Sequence, residues 1–530
     1  MKLFAKKEAL YISLILVFTF LIRLGYLFLL RTKFYVVAED EVIYIENSLR
    51  VIFNNMQPGL FFHGALYFYF VSCLHHFFFI MGKIFGLFNS NIDYLVFFLE
   101  KPEVFYFMTR MVSVFTATAT VYFIYRLGDS LWDKKTGLLA AFFVSLTPMA
   151  LIQGSEASAY ATTNLFIVIA AFLGVEFMKK TRPRSIFSVS VVFGLALSSD
   201  YYALFMIPFF VLIICAADRL NEGPSKLFAD IFIFSAISLL VFIVINPYFA
   251  LRPALAWQSI IAQTHTAVFP QYNQSYTPLR YVWLLLKPPY LFISLFFFVG
   301  IWFSARSRKI GEIAIFLFPL INIALFSFSK IQLERYIFHS LPFLSLIAAN
   351  AIIVLTRIKK LDFAKMGLII FLFVIFCMFN YKSKSYSSDT WIAKNWIEKN
   401  IPKKSDILIE PGTIPFGRTR LLSILFNHQD KSNERLYFSV LKRYLQAHPE
   451  EDYELWPCNL VKDTIPVISH KNVRYIILSE KDYDWEGVDW LQENAVLIKA
   501  FAKYGDTWRI RIYKVLNPLS ERECTSTGWW

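Results

Sequence analysis

The first long apolar run of the chain reads LYISLILVFTFLIRLGYLFLL and extends from Leu10 to Leu30. A membrane-spanning helix needs about 20 predominantly apolar residues, because each residue rises about 1.5 Å through a hydrocarbon core of about 30 Å. This run is too long for the apolar segment of a signal peptide, and no small-residue cleavage site follows it. We therefore expect it to remain in the chain as the first membrane-spanning helix.

Similar apolar runs alternate with short polar stretches as far as about Tyr381, and no later run is long enough to span a membrane. Only 17% of the 530 residues are charged, whereas soluble domains carry roughly a quarter. The 57 Phe and 28 Tyr residues suit helices that face lipid and end in aromatic belts. The sequence predicts an α-helical polytopic membrane domain over residues 1–381 and a second domain over residues 382–530.

Clusters of Lys and Arg between the apolar runs predict the orientation of the chain, because cytoplasmic loops are enriched in these residues. The clusters are Lys2, Lys6 and Lys7; Arg126, Lys134 and Lys135; Lys179, Lys180, Arg182 and Arg184; Arg219 and Lys226; Arg306, Arg308 and Lys309; and Arg357, Lys359, Lys360 and Lys365. Two apolar helices fit between most successive clusters, which returns the chain to the same side each time. The N-terminus is therefore expected in the cytoplasm.

The interval from Leu30 to Arg126 holds one apolar stretch too many for this orientation, Leu60–Phe88 in addition to Val104–Tyr125. His63, His75, His76 and Lys83 interrupt the first of these stretches. We expect it to form helices that lie on or dip into the outer leaflet, within an outer loop of about residues 32–102. About eleven spans then cross the plasma (inner) membrane, and the C-terminal domain lies outside the cytoplasm.

The C-terminal domain is predicted to be a small α/β domain. Asp389–Asn400 has a helical pattern that Pro402 ends, and short β-branched runs follow at residues 406–410, 473–478 and 508–513. Cys458 and Cys524 lie in this domain, where a disulfide can form outside the cytosol, although nothing in the sequence shows that they meet. No catalytic signature is present there, so an accessory or acceptor-binding role is expected.

The formal net charge of +14 sits mostly in the short basic loops, so we expect no nucleic-acid partner. Polar residues that are unusual for a membrane protein collect instead on the predicted outer face. They are Glu39, Asp40, Glu41 and His63 in the first outer loop, Glu156 and Asp200 at helix turns, Arg280 in a long loop, and Lys330, Arg335 and Tyr336 in a third loop. Charged groups at a bilayer surface tend to pair or to serve a function, because burying them is costly. An amphipathic ligand with an anionic head would explain the cations, since guanidinium groups match phosphate oxygens.

Several short motifs, in this order, resemble the GT-C glycosyltransferases, and specifically the branch that holds protein O-mannosyltransferases and the lipid A aminoarabinose transferase. They are Arg23 on the first helix, Asp40-Glu41 followed by Tyr44, His63-Gly64, Arg110, Gly194 to Tyr201, and Arg335-Tyr336 followed by Pro342. The resemblance covers about residues 10–355. Three positions depart from it. Asp200 stands where a lysine is usual, Glu156 lies one turn before the second acidic residue of many relatives, and Phe62-His63 stands where the aminoarabinose transferase has a carboxylate.

The resemblance implies a GT-C fold and a polyprenyl-phosphate-linked sugar as donor. Asp40 would be the catalytic base toward the acceptor hydroxyl, with inversion at the anomeric carbon; Asp40 could also cap a helix that begins at Glu41. Lys330, Arg335 and Arg280 would bind the donor phosphate. The substrate-binding residues would be Glu41, His63, Glu156, Asp200 and Tyr336. The acceptor is left open among lipid, glycan and protein, membrane lipid surrounds the site, and we expect no cofactor and no metal, although some GT-C enzymes use a divalent ion.

Other functions share these outer polar groups. A flippase or transporter for a lipid-linked sugar should show paired inverted repeats and charges in mid-membrane. The sequence has no internal repeat, and its spans are mostly free of mid-membrane charge. A polymerase or ligase that moves a whole oligosaccharide uses the same donor linkage, so the sequence does not separate it from single-sugar transfer. An inactive relative that binds a lipid-linked sugar and scaffolds other proteins is the third alternative.

Overall fold

A computed structural model describes most of the membrane region and parts of the C-terminal domain. The described residues are 2–31, 39–53, 56, 58, 61, 63–179, 185–218, 223–268, 280–287, 290–307, 309–329, 334–358, 373–374, 389–409, 434–448, 454–457, 473–480, 495–502 and 509–516. The domain boundary predicted near Tyr381, together with Lys330, Cys458 and Cys524, lies outside these residues, and those predictions stay as they were.

The membrane region is helical, as the apolar runs predict. Its helices are α1 (Lys2–Arg31), α2 (Glu39–Phe53), α3 (Ala65–Ile84), α4 (Asn91–Glu100), α5 (Pro102–Leu131), α6 (Lys134–Leu146), α7 (Pro148–Gln153), α8 (Ala159–Met178), α9 (Ser185–Ser199), α10 (Ile207–Asp218), α11 (Gly223–Ile245), α12 (Tyr248–Leu251), α13 (Pro253–Val268), α14 (Arg280–Leu285), α15 (Leu291–Ser307), α16 (Ile310–Ser327) and α17 (Leu341–Ile358). Two 3₁₀ helices, Tyr201–Met206 and Glu334–Ser340, lead into α10 and α17.

Seven of the described helices are long and apolar enough to cross a membrane by length and composition. They are Glu8–Phe28, Ala65–Ile84, Pro102–Leu131, Ala159–Met178, Ser225–Ile245, Ile310–Ser327 and Glu334–Arg357. Shorter apolar helices cover Ile186–Ser199, Tyr201–Ala217 and Leu291–Ser307. The chain is therefore a multi-pass membrane protein. The expected total of about eleven spans stays a prediction, because residues 359–372 and 375–388 are outside the described part.

Two ion pairs and a hydrogen bond identify one end of the helix bundle. Glu8 near the start of α1 pairs with Lys134 at the start of α6 at 2.6 Å, and Asp133 pairs with Arg357 at the end of α17. Ser130 near the end of α5 donates to Glu176 near the end of α8 at 2.6 Å. This end carries the basic clusters that the sequence assigns to the cytoplasm.

The opposite end is covered by α2, α3 and α4. The start of α3 lies against the end of α9, since a Cβ added at Gly64 would lie 2.1 Å from the Ser198 carbonyl oxygen. The middle of α3 lies beside the first turns of α5, where His75 Nε2 and Thr109 Oγ1 are 3.2 Å apart. Helix α3 therefore contacts both helices at this end of the bundle. Its length and composition are those of a spanning helix, and its expected position on the outer leaflet stays a prediction.

Glycine allows helices α5 and α6 to pack closely. A Cβ added at Gly128 would lie 2.6 Å from the Cα of Gly137, so neither position has room for a side chain. Close backbone approach at small residues is a common means of packing helices in lipid, where apolar side chains gain little from leaving the hydrocarbon.

The C-terminal domain contains helices α18 (Asp389–Asn400) and α19 (Glu434–Ala447) and strands β1 (Asp406–Ile409), β2 (Glu454–Pro457), β3 (Tyr475–Glu480), β4 (Ala495–Ala502) and β5 (Arg509–Val515). The strand order is β2-β1-β3-β5-β4; β1 runs parallel to β2 and β3, and β5 runs antiparallel to β3 and β4. Helix α18 and strands β1, β3 and β5 confirm the sequence prediction of a small α/β domain. Helix α19 and strands β2 and β4 were not predicted.

Helix α19 packs on α4 of the membrane region. Its buried residues Tyr437, Val440, Leu441 and Tyr444 join the apolar cluster that contains Tyr94, Leu95 and Phe98. An ion pair between Arg443 and Asp93 lies beside this contact. The C-terminal domain is therefore attached to the helices that cover the bundle end.

Candidate active site

Glu41 lies in the first turn of α2 and is fully buried, like its partner Arg110 on α5. Arg110 Nε donates to Glu41 Oε1 at 2.8 Å, and Arg110 Nη2 donates to Oε2 at 2.6 Å. The backbone N–H of Ala157, which precedes α8, also donates to Oε1 at 2.9 Å. Two parallel charge-assisted hydrogen bonds fix both position and orientation. Glu41 therefore ties the start of α2 to α5 and to the turn before α8.

Asp40 directly precedes Glu41 in the same helical turn. Helix α2 begins at Glu39, two residues earlier than the sequence reasoning assumed, so Asp40 lies inside the helix and is not the capping residue before it. The Asp40 side chain is outside the described part of the structure. The structure shows where the Asp40 backbone lies, directly before Glu41, whose carboxylate Arg110 binds.

A cavity adjoins Glu41, with about 190 Å³ of empty space when the part that is open to solvent is counted. It is lined by Glu41, Gln153, Glu156, Ala157, Ser158, Tyr160 and Arg335. Glu156 lies in the turn between α7 and α8, where Gln153 Nε2 donates to Glu156 Oε2 at 2.7 Å. Arg335 comes from the 3₁₀ helix Glu334–Ser340. The cavity thus brings together three of the predicted site residues, Glu41, Glu156 and Arg335, from three separate parts of the chain.

An aromatic cluster forms one side of this region. The rings of Tyr160 and Tyr202 stack with centroids 6.2 Å apart, and Tyr336 lies 6.0 Å from Tyr202. His339 contacts both Tyr160 and Tyr202, and its Nδ1 lies 2.7 Å from Asn164 Oδ1. The predicted substrate residue Tyr336 therefore belongs to the aromatic side of the site and is not among the residues that line the 190 Å³ cavity.

His63 and Asp200 form a second polar group at the same end of the bundle. His63 Nδ1 lies 3.5 Å from Asp200 Oδ2, and its Nε2 lies 3.5 Å from the hydroxyl of Tyr44, one turn after Asp40 on α2. His63 lines a second cavity, with about 200 Å³ of empty space when the part open to solvent is counted, together with Pro58, Phe61, Ala65, Tyr201, Asn246, Tyr248 and Phe249. Asp200 also accepts from the N–H of Tyr202 at 3.3 Å, which caps the 3₁₀ helix Tyr201–Met206. His63 and Asp200 are therefore together, but neither lines the cavity beside Glu41.

The predicted phosphate-binding cations are less well defined by the structure. Arg335 lines the first cavity, whereas Arg280 begins α14 with an exposed side chain and is not among the lining residues. Lys330 is outside the described residues. Among the residues that the structure describes, no three His, Cys, Asp or Glu side chains are grouped as metal ligands.

The sequence reasoning missed several residues of this site. Arg110 was noted as part of a motif but was given no role, and Gln153, Ser158 and Tyr160 were not proposed. An Arg in the middle of an apolar run is a signal for a buried acidic partner. Gln153 carries no comparable signal, because only the turn between α7 and α8 places it beside Glu156.

Comparison with known proteins supports the fold. Residues 105–250 match the model of the family described as dolichyl-phosphate-mannose-protein mannosyltransferase. The structure of ArnT from Cupriavidus metallidurans bound to undecaprenyl phosphate is similar, with a TM-score of 0.55 and 11% identity over 97% of this chain and 98% of that chain. The structure of ArnT from the same organism in the apo state has a TM-score of 0.52 and 12% identity, over 96% of this chain and 98% of that chain. The apo structure of the Archaeoglobus fulgidus oligosaccharyltransferase has a TM-score of 0.49 and 10% identity, over 88% of this chain and 69% of that chain. No curated relative matches the chain by sequence.

The bundle with its outer helices and the cavity at their junction define a polytopic membrane protein of GT-C fold. Residues 105–250, about a quarter of the chain, match the dolichyl-phosphate-mannose-protein mannosyltransferase family, and the fold of the chain is similar to that of the ArnT structures.

Proposed function

We propose that this protein transfers a sugar from a polyprenyl-phosphate donor to an acceptor hydroxyl on the extracytoplasmic face of the plasma membrane. The observation that carries the proposal is the cavity at which Glu41 and Arg335 meet, with Asp40 one residue from Glu41 on α2. It lies at the bundle end opposite the ion pairs Glu8–Lys134 and Asp133–Arg357. Sugar transfer from a phosphate requires a base and a cation; Arg335 is the proposed cation at this cavity, and Asp40, next to the lining residue Glu41, is the proposed base.

In the proposed reaction, the Asp40 carboxylate takes the proton of the acceptor hydroxyl. The acceptor oxygen then forms a bond to the anomeric carbon, and the bond from that carbon to the phosphate oxygen breaks with its electron pair. The polyprenyl phosphate leaves with this negative charge, and displacement in line inverts the anomeric centre. Each step balances without an oxidant, a reductant or a cofactor.

Arg335 is proposed to bind the departing phosphate, with Lys330 and Arg280 as further cations. A guanidinium presents several N–H donors in one plane and binds phosphate oxygens in pairs. Undecaprenyl phosphate is the ligand named for the similar ArnT structure, and a lipid phosphate of this class is the ligand proposed here. The acceptor is left open among a lipid, a glycan and a protein, as is the transfer of one sugar or of a whole oligosaccharide.

A transport function has less support. A transporter should place polar groups along a path through the bundle, whereas the predicted site residues that the structure describes gather at one end, around α2 and the turn before α8. The N-terminus is proposed to be cytoplasmic and the C-terminal domain extracytoplasmic.

The test uses the full-length protein in lipid nanodiscs with synthetic polyprenyl phosphates that carry glucose, mannose or galactose, each combined with a lipid, a glycan and a peptide acceptor that bears a hydroxyl group. Release of the lipid phosphate is measured for the wild type, Asp40→Asn and the matched variant Glu39→Gln. We expect release by the wild type and by Glu39→Gln, with a loss of about 10²- to 10⁴-fold for Asp40→Asn. We also expect release to persist in EDTA. Normal release by Asp40→Asn would refute the assignment of the base, and no release from any donor would refute the activity.

A further inference from the structure

Two side chains that line the 190 Å³ cavity have polar atoms without a partner among the described residues. They are Gln153, with 7% of its surface exposed, and Ser158, with 3% exposed. The unpartnered atoms are Gln153 Oε1 and Ser158 Oγ, and both residues line the cavity. Buried polar atoms nearly always have a hydrogen-bond partner, so such atoms mark a place where a ligand can supply one.

The contact with Glu156 fixes the orientation of the Gln153 amide. An ionised carboxylate can only accept hydrogen bonds, so the amide nitrogen of Gln153 must face Glu156, at 2.7 Å. The carbonyl oxygen then points away from Glu156 as an acceptor. A ligand group that satisfies Gln153 Oε1 must therefore be a hydrogen donor.

The remaining cavity wall suits a sugar ring. Tyr160 contributes an aromatic surface to the same cavity, and Ser158 can both donate and accept. Arg335 lies at the same cavity, where the proposed function places the lipid phosphate. The ring and the phosphate of one donor molecule would thus contact adjacent parts of one cavity.

We propose that Gln153 and Ser158 form the sugar-binding part of this cavity, and that Gln153 Oε1 accepts a hydrogen bond from one hydroxyl of the transferred sugar. The proposal rests on the proposed function and adds a specificity residue to it. A site built to bind a hydroxyl rejects the analogue that lacks it, because its own polar group is then left buried without a partner.

The experiment compares the polyprenyl-phosphate hexose that the wild type uses best with its four monodeoxy analogues. The value of kcat/KM is measured for the wild type, for Gln153→Met, which is similar in size and lacks the acceptor, and for Ser155→Ala as control. Ser155 is fully buried in the same turn but is not among the lining residues. For one analogue, we expect a loss of about tenfold to a hundredfold in the wild type and in Ser155→Ala. With the parent sugar, the kcat/KM of the Gln153→Met variant should fall by a similar factor. With that analogue, its kcat/KM should fall no further.

If the kcat/KM of Gln153→Met depends on the deoxy position in the same way as that of the wild type, the proposal is overturned while sugar transfer stays intact. A binding measurement separates this result from failure of the activity itself. The wild type should bind the hexose-bearing lipid more tightly than the same polyprenyl phosphate without sugar, and Gln153→Met should lose this difference. Equal binding of both lipids by the wild type, or an equal weakening of both in Gln153→Met, overturns the sugar subsite even if no hexose is transferred.

Discussion

The Arg110 guanidinium holds the Glu41 carboxylate through two parallel hydrogen bonds, with Nε 2.8 Å from Oε1 and Nη2 2.6 Å from Oε2. The pair joins the turn of α2 that contains Asp40 to the long helix α5. Since the Ala157 N–H also donates to Glu41, the carboxylate is held on two sides. These three bonds fix the position of Glu41 at the cavity wall, and its predicted binding of substrate stays a prediction.

Replacement of Arg110 by Gln should destabilise the protein strongly. Removing one partner of a buried ion pair leaves the other charge without compensation and costs about 3–5 kcal/mol. The matched control is Arg357→Gln at the exposed pair with Asp133, for which about 0–1 kcal/mol is expected. Unfolding temperatures of both variants in the same detergent provide the measurement. Equal shifts of the unfolding temperature in the two variants would show that the Glu41–Arg110 pair stabilises the protein no more than the exposed pair does.

Replacement of Gly64 by Ala should separate the start of α3 from the end of α9. The added Cβ would lie 2.1 Å from the Ser198 carbonyl oxygen, which is backbone and has little freedom to move. Overpacking of this kind costs about 1–3 kcal/mol, and it should also lower the transfer rate because His63 precedes Gly64. The control is Gly25→Ala on α1, where a Cβ meets nothing within 4 Å. Thermal unfolding and sugar transfer of both variants test this, and identical behaviour would contradict the close contact.

Asp200 and His63 should act as one unit in substrate binding. Asp200→Asn removes the charge that faces His63 Nδ1, and His63→Gln removes the imidazole. Each single variant is expected to lower kcat/KM about tenfold, and the double variant should be little worse than either, because residues in contact give non-additive effects. Steady-state kinetics of the four proteins measure the coupling. Losses that multiply in the double variant would show that the two residues act independently.

The contact between α19 and α4 should weaken in acid. Burial raises the pKa of Asp93, but the Asn89 N–H, the Ser90 hydroxyl and the Arg443 guanidinium outweigh it, and the pKa lies below the ordinary value of 3.8. A carboxylate with a lowered pKa contributes stability that is complete above its unfolded-state pKa and is lost as the pH falls through its folded-state pKa. The contact should therefore be intact at neutral pH and loosen below about pH 3.8.

Spin labels at the exposed positions Asn91 and Lys442 can report this distance. We expect a narrow distance distribution at pH 7 and a broad one in strong acid. Arg443→Gln should broaden the distribution already at pH 7, whereas Lys399→Gln, on the distant helix α18, should not. A distribution that is the same at all pH values in the wild type would contradict the role of the Asp93–Arg443 pair.

Much of the fold follows from the sequence because the requirements of a bilayer are local. A run such as Leu10–Leu30 satisfies all of its backbone hydrogen bonds only as a helix, and basic loops such as Lys134-Lys135 set the side on which helices begin. The parity of these loops also predicts that Leu60–Phe88 stays on the outer face; this stays a prediction, because α3 is long and apolar enough to span. Helix α19 was missed because its role depends on α4, more than 300 residues away in the sequence.

The sequence alone determined that this is a helical membrane protein, and it predicted that Glu41, Glu156 and Arg335 lie on the outer face, since apolar length, loop charge and motif order can all be read along the chain. Only the tertiary structure decided which of these residues share a cavity. Arg110 meets Glu41, Gln153 meets Glu156, and His63 meets Asp200 at a second cavity, because contacts across helices depend on packing between segments that are far apart in sequence. The acidic residues of α2 were visible from the start, and packing shows that Glu41 is held by Arg110 beside the proposed base Asp40.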